Sequence, residues 1–170
     1  MGAKVAKHNS KLLKNSQGGP SKPPPKCNCQ KSKKQDCPIP GACNQDGVVY
    51  QAVVSNDRGE AESYIGVAKN FKIRLAKHKA SLQKQSSENS TILSTYFWKE
   101  KNAGRGPCIK WNIIESNIPT FNSVFKICRL CVREKFYIAF HPEKASLNSR
   151  NEVFSHCRHM GGCLIETPPD

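Results

Sequence analysis

The stretch YIGVAKNFKIRLAKH, residues 64–78, joins a segment typical of a β-strand to one with the periodicity of a helix. The strand-like part begins at Tyr64 and ends at Gly66, where the missing Cβ permits a tight turn or the close approach of a ligand. Because Arg74 and His78 are four residues apart on the predicted helix, we expect their side chains to point the same way, one turn apart. The stretch therefore predicts a guanidinium and an imidazole beside a tyrosine.

Two other segments complete a predicted sheet. Residues 48–54, VVYQAVV, are β-branched and aromatic and are bounded by turn signals, which is typical of a strand. Residues 64–65 return as its hairpin partner. In residues 108–113, CIKWNI, apolar and polar side chains alternate, which indicates a third, half-buried strand. We therefore predict an α/β fold, in which a small three-stranded antiparallel sheet is flanked by helices.

Helical patterns lie between and after these strands. Asn70 is a favourable N-cap for the first helix, and a second helix is predicted over residues 90–104. Residues 125–140 have apolar side chains at helical spacing before Pro142, which predicts a third helix. Residues 147–159 predict a short helix after a turn.

Positive charge is concentrated at the N-terminus. The chain has 170 residues and a formal net charge of +14, and residues 1–35 contain nine Lys and no acidic residue. Such an arm attracts polyanions, most often nucleic acid, with an anionic membrane surface as the alternative. Residues 1–26 are rich in Lys, Ser, Gly and Pro, which predicts a disordered basic linker, and residues 164–170 are predicted to be a disordered tail. No apolar run approaches the roughly 18 to 20 residues of a membrane span, and no signal-peptide pattern follows Met1.

The nine cysteines are an odd number, which argues against the closed disulfide framework of a secreted protein. Clustered cysteine and histidine in a Lys-rich chain indicate structural Zn²⁺, because thiolate and imidazole are ligands that tetrahedral zinc prefers. Residues 27–46 are predicted to form a zinc knuckle. The two predicted ligand sets are Cys27, Cys29, Cys37 and Cys43, and Cys128, Cys131, Cys157 and His159.

Other assignments of the cysteines are open. Cys37 and Cys43 could instead join histidines of the core, but we favour the local sets because short loops close at a lower entropic cost. Cys128 and Cys131 are alternatively buried free thiols. Cys108, on the predicted third strand, is interpreted as a core residue.

Several short motifs follow one another in a fixed order. The cysteine patterns CNC and CPIPGAC come first, followed by VVY at 48–50 and YIG at 64–66. Further along, CRLC precedes Glu134, and the chain continues with LNSR at 147–150 and CRH at 157–159. The VVY and YIG elements with the residues after them resemble the GIY-YIG endonuclease module. With the cysteine patterns, the chain more narrowly resembles the endonuclease domain of Penelope-like retroelements.

This resemblance implies a metal-dependent DNA endonuclease that nicks its target. Glu134 would hold a catalytic Mg²⁺ or Mn²⁺, and Arg74 would bind the scissile phosphate. Tyr50, Tyr64 and His78 are the groups able to orient or deprotonate a water. The resemblance favours a tyrosine in that role without deciding which one.

The resemblance covers residues 27–160 and places the GIY-YIG core at residues 47–163. It implies that Asn148 positions the region of Glu134 by hydrogen bonding. The implied partners are DNA, element RNA and an upstream reverse transcriptase, with no membrane and no small-molecule cofactor, and the expected location is the nucleus. The alternative is a non-catalytic, zinc-dependent nucleic-acid-binding module on a degenerate nuclease scaffold. The presence of all six predicted site residues favours the nuclease.

Overall fold

The computed structural model describes most of the predicted core. The described residues are 29, 37–39, 41–122, 127–155, 157 and 159. The predicted basic linker, Cys27 and the predicted C-terminal tail lie outside them.

Within these residues, strands and helices alternate along the chain as an α/β fold. The strands are β1 (Asp46–Ser55), β2 (Ala61–Asn70), β3 (Cys108–Glu115), β4 (Phe121–Asn122) and β5 (Ile127–Cys128). The α-helices are α1 (Phe71–Gln83), α2 (Ile92–Asn102) and α3 (Arg129–Phe140). Short 3₁₀ segments lie at Gln85–Ser90, Pro142–Lys144 and Arg150–Phe154.

The main sheet has three antiparallel strands in the order β2-β1-β3, as predicted. Tyr50 on β1 lies opposite Gly66 on β2, and Ala52 lies opposite Tyr64. The strand that contains Tyr64 is longer than predicted, because it continues through Gly66 to Asn70 without a turn. Gly66 therefore does not end the strand. Its missing Cβ leaves room for a side chain that lies close to it within the sheet.

The sheet is covered by helices on both faces, because its strands alternate between two apolar sets. One face packs against α1 and α2. The other packs against α3 and the segment that follows it. The buried residues of the first face are Val48, Tyr50, Ala52, Val54, Tyr64, Ala68, Phe71, Leu75 and Leu93, and those of the second are Val49, Ile65, Val67, Cys128, Leu130, Cys131, Ile138, Ala145 and Cys157.

Local N-capping hydrogen bonds determine where the first two helices begin. Asn70 caps α1 as predicted, since its side chain accepts a hydrogen bond from the backbone N–H of Ile73. The second helix begins after Thr91, one residue later than predicted, because the Thr91 hydroxyl accepts from the backbone of Ser94 in a capping box. No helix in the described part of the chain combines the length and apolar character needed to cross a membrane.

The predicted start of the third helix at residue 125 was wrong. Ile127–Cys128 form a two-residue strand that pairs with Phe121–Asn122, and α3 begins at Arg129. The predicted short helix over residues 147–159 is confined to the 3₁₀ segment Arg150–Phe154, which begins with a capping box between Ser149 and Glu152. Between this segment and α3, the chain returns along the outer edge of β2.

This returning segment supplies hydrogen-bond partners to backbone groups at the outer edge of β2. Leu147 donates its backbone N–H to the Ser63 carbonyl at 2.9 Å, and the backbone N–H of Ser63 donates to the Ser146 hydroxyl at 2.8 Å. Asn148 accepts from the N–H of Ile65 at 2.7 Å and donates to its carbonyl at 3.0 Å. The segment therefore holds one half of an edge strand whose backbone groups would otherwise lack partners.

Candidate functional site

A hydroxyl with two polar partners lies inside the first face of the sheet. Tyr50 is fully buried, and its oxygen accepts a hydrogen bond from Arg74 Nε at 3.1 Å. The same oxygen lies 2.8 Å from His78 Nε2. Arg74 and His78 are one turn apart on α1 and point the same way, as predicted, and both reach this phenol.

Burial determines the protonation states of the Tyr50 hydroxyl and the His78 imidazole. It raises the pKa of the Tyr50 hydroxyl, which therefore keeps its proton at neutral pH. Burial, together with the charge of Arg74, lowers the pKa of His78 to about 3, so the imidazole is neutral. A neutral imidazole offers a nitrogen lone pair to the Tyr50 proton. The three side chains form a satisfied buried network whose one permanent charge is the guanidinium.

A cleft of about 540 Å³ opens beside this network, at the outer edge of β2 between α1 and α3. Three of the six predicted catalytic residues line it: Tyr64, Arg74 and Glu134. Tyr50 is buried beneath the cleft and lies behind Arg74. His78 lines a neighbouring groove. Of the three groups predicted to orient water, Tyr64 is therefore the one that faces the cleft.

The cleft combines positive charge with two carboxylates. Lys69, Lys77 and Lys135 line it together with Arg74, and the carboxylates are Glu134 and Glu152. Burial raises the pKa of the Tyr64 hydroxyl, and the negative charge of Glu134 raises it further. The positive charge of Arg74 lowers this pKa, and the negative charge of Glu152 raises it.

Glu152 was not among the predicted site residues. One of its carboxylate oxygens accepts from the backbone N–H of Ser149 at 2.9 Å, and the other accepts from Asn148 Nδ2 at 3.2 Å. The sequence does contain a signal for this position, because Ser149 and Glu152 have the spacing of a capping box. Nothing in that signal indicates that the carboxylate also lines a cleft.

Asn148 connects β2 to this wall of the cleft. Its amide bonds to both backbone groups of Ile65 and to the Glu152 carboxylate. It therefore fixes the strand next to Tyr64 and orients Glu152. The predicted role was to position the region of Glu134. The hydrogen bonds that the structure defines for Asn148 run to Ile65 and Glu152 instead.

Four metal-ligating side chains converge at the start of α3. The ligand atoms of Cys128, Cys131, Cys157 and His159 lie within 4.8 Å of one another and could hold a metal ion. Cys131 Sγ lies 3.4 Å from Cys157 Sγ and 3.2 Å from His159 Nδ1. Tetrahedral zinc with Zn–S bonds of about 2.3 Å requires sulfur atoms about 3.8 Å apart, whereas a disulfide requires about 2.05 Å. The spacing therefore suits a shared metal better than a disulfide.

This cluster forms part of the cleft wall. Cys131 and His159 both line the cleft. Cys131 also lies one turn before Glu134 on α3, so the two side chains lie on the same side of the helix. A metal held by the cluster would therefore fix the helix that carries Glu134 against the segment that carries Glu152.

A second group of thiols lies before β1. Cys29, Cys37 and Cys43 could also hold a metal ion, and Cys29 Sγ lies 3.3 Å from Cys43 Sγ. Ile39, between them, packs against the first face of the sheet. The predicted fourth ligand, Cys27, lies outside the described residues.

The structure favours the local partition of the cysteines. Cys37 and Cys43 group with Cys29 and not with a histidine of the described core. The interpretation of Cys108 as a core residue was wrong, because its side chain is exposed. Cys108 is the first residue of β3, an edge strand on which exposed and half-buried positions alternate.

No family model, curated protein or solved structure matches the chain. The resemblance to GIY-YIG endonucleases therefore stays a prediction.

Proposed function

We propose that this chain is a metal-dependent DNA endonuclease that nicks one strand by hydrolysing a phosphodiester bond. The observation that carries the proposal is the meeting of Tyr64, Arg74 and Glu134 in one positively charged cleft. Phosphodiester hydrolysis needs a site for the negative phosphoryl oxygens, a positioned water and help for the leaving oxygen. The cleft offers a separate side chain for each requirement.

Arg74 is suited to bind the scissile phosphate. Its Nε donates to the buried Tyr50 hydroxyl, which orients the guanidinium from behind. The remaining N–H groups of an arginine held in this way form a permanently charged fork for phosphate oxygens. Tyr50 and His78 act in this proposal as positioning residues, because both are buried.

Glu134 is suited to hold a catalytic Mg²⁺ or Mn²⁺. Mg²⁺ binds through one or two carboxylates and keeps positions for water and phosphate oxygens, and Glu134 is half-buried in the lining of the cleft. Both oxygens of Glu152 accept hydrogen bonds within its own turn, and the resemblance assigns the ion to Glu134. When bound, such an ion stabilises the negative charge that develops on the phosphoryl and leaving oxygens.

Tyr64 is suited to orient the attacking water. It is 7% exposed and faces the cleft, and its raised pKa keeps the hydroxyl protonated at neutral pH. The water oxygen attacks phosphorus, and the bond from phosphorus to the 3′ oxygen breaks, which leaves a 3′ hydroxyl and a 5′ phosphate. A 3′ hydroxyl is the end from which a reverse transcriptase extends, as the resemblance to Penelope-like retroelements implies.

A supercoiled-plasmid nicking assay tests the proposal. Glu134→Gln removes the carboxylate charge at nearly constant volume. Its nicking rate with Mg²⁺ should fall at least about 100-fold, because even outer partners of a metal ligand contribute about 10- to 100-fold. Glu143→Gln is the matched control, since that glutamate is 63% exposed and does not line the cleft.

Two outcomes would count against the proposal. Nicking by Glu134→Gln at the wild-type rate would exclude Glu134 from the reaction. DNA binding without nicking by the wild-type chain would favour the alternative of a non-catalytic, zinc-organised nucleic-acid-binding module.

A further inference from the structure

A second groove lies directly beside the cleft. Its volume is about 390 Å³, and it runs between α1 and the 3₁₀ segment Gln85–Ser90. The groove and the cleft share four lining residues, Arg74, Lys77, Ser90 and Thr91. They therefore form one continuous depression across α1.

The charge of the second groove differs from that of the cleft. Three cationic side chains line it, those of Arg74, Lys77 and Lys84, and no carboxylate is among the described residues of its lining. Glu88, the acidic residue of the neighbouring 3₁₀ segment, is not part of the lining. The groove therefore suits an anion that needs no metal ion for its recognition, whereas the cleft combines cations with carboxylates.

Hydroxyl groups and a neutral imidazole complete its polar lining. The hydroxyl groups are those of Ser81, Ser87, Ser90 and Thr91, and the imidazole is that of His78. Hydroxyl and ammonium groups are the usual partners of nucleic-acid phosphates, and contacts of this kind carry no base sequence information. Lys77 and Lys84 are exposed, so their ammonium groups can follow a phosphate without leaving water.

We propose that this groove binds the sugar-phosphate backbone of the strand whose scissile phosphate lies in the cleft, with Lys84 contacting a phosphate beyond it. The inference rests on the proposed function, because it takes the cleft as the place of reaction. Arg74 and Lys77 lie at the junction and contact the strand as it passes from one groove to the other. The strand then crosses α1 from the side of Glu134 to the side of Lys84.

Salt-dependent binding tests this path. The experiment uses the full chain with Glu134→Gln, so that the DNA stays intact, and a fluorescent duplex whose anisotropy is followed over a salt series without added divalent metal. Lys84→Gln should reduce the slope of log affinity against log salt by about 0.9, the value for one phosphate contact on duplex DNA. Lys84→Arg keeps the charge and should keep the slope.

Lys79→Gln is the matched control. It removes one lysine charge from α1, whose C-cap is Lys84, and Lys79 lines neither the groove nor the cleft. Equal slopes for Lys84→Gln and Lys79→Gln would overturn the proposal. So would a loss of inorganic phosphate binding in Lys84→Gln with an unchanged duplex slope, because the groove would then be a site for a free anion.

The two proposals can fail separately. If wild type does not nick but Lys84→Gln still lowers the slope, the groove binds nucleic acid and the nuclease proposal fails. If wild type nicks and the slope is unchanged, the nuclease proposal stands and the path across α1 is wrong.

Discussion

Gly66 lies so close to Tyr50 that a Cβ at position 66 would be 2.5 Å from the Tyr50 hydroxyl oxygen. The same Cβ would lie 2.9 Å from Cε1 of Tyr64. The glycine of the YIG motif is therefore required by the ring of the opposite strand, and it allows two tyrosines to lie side by side above α1.

Gly66→Ala should accordingly destabilise the fold. Alanine is ordinarily favoured over glycine within a strand by about 0.5–1 kcal/mol, but overpacking a core costs about 1–3 kcal/mol, so the clash should decide the sign. Urea unfolding of the variant gives this difference. Gly104→Ala is the control that separates steric overlap from backbone strain. Gly104 has a φ of 70°, and a Cβ built at this position meets no atom of the described residues within 4 Å. A neutral or stabilising effect of Gly66→Ala would show that the two tyrosines can move apart.

The sheet and first helix could be predicted because their signals are local. β-branched and aromatic residues indicate β1, alternating apolar residues indicate β3, and Asn70 is followed by helical spacing. The length of β2 could not be predicted, because a glycine inside a strand usually indicates an interruption. Here the side chain that explains Gly66 comes from Tyr50, sixteen residues earlier along the chain.

The region around α3 was harder to predict, because long-range contacts determine it. Ile127–Cys128 are too short for a periodic signal, and they become a strand only by pairing with β4. Cys131 and Cys157 are 26 residues apart but in contact. Residue types could suggest their shared site, but spacing could not show that it forms the wall of the cleft.

The edge of β2 should depend on Asn148. Asn148→Asp keeps an oxygen that can accept from Ile65 but loses the amide that donates to the Ile65 carbonyl and to Glu152. It also places a second carboxylate beside Glu152. We expect a loss of about 1–3 kcal/mol in the free energy of unfolding, because the carbonyl of the buried Ile65 loses this donor.

Hydrogen exchange at the Ile65 amide reports this effect locally. Exchange should become faster in Asn148→Asp, since the new charge repels the turn that holds the segment in place. Asn151→Asp is the matched control, because Asn151 is exposed in the same 3₁₀ segment. If Ile65 stays equally protected in both variants, Asn148 does not hold the strand edge.

Metal content should depend on Cys157 and not on Cys108. Cys157→Ser removes a buried ligand of the cluster at α3, whereas Cys108→Ser changes an exposed thiol outside both clusters. Elemental analysis of reduced protein should show about one zinc per chain fewer in Cys157→Ser than in wild type. Unfolding should occur at lower urea concentration as well, because structural zinc contributes on the order of 10 kcal/mol in small domains.

Loss of that zinc should also reduce nicking, because the cluster holds the helix that carries Glu134. Nicking by Cys157→Ser should be low even when Mg²⁺ is in excess. Less than one zinc per chain in freshly purified wild type, or equal zinc in the two variants, would identify the cysteines as thiols without a metal.

The last prediction concerns pH and the buried imidazole. His78 is 2% exposed and faces Tyr50, Tyr64 and Arg74. Its pKa in the folded chain is about 3, below the ordinary value of 6.5. Below pH 6.5 the unfolded chain therefore binds a proton that the folded chain does not. The stability that His78 contributes is present above pH 6.5 and is lost as pH falls toward 3, by at most about 1.4 kcal/mol per pH unit.

A second group with a shifted pKa acts in a lower window. Hydrogen bonds from Arg105 and Asn56 lower the pKa of Glu100 to about 2 from 4.5, so its contribution to stability is lost only below pH 4.5.

The experiment compares the slope of the free energy of unfolding against pH, between pH 6.5 and 4.5, in wild type and His78→Gln. The difference between the two slopes isolates His78, since every other histidine is present in both chains. His78→Gln should show a flatter fall in the free energy of unfolding, measured in urea at each pH. His141→Gln removes a surface imidazole and should keep the wild-type slope, because His78 is retained. Equal slopes in all three chains would mean that His78 takes up its proton in the folded state, and that burial and the charge of Arg74 do not hold it neutral.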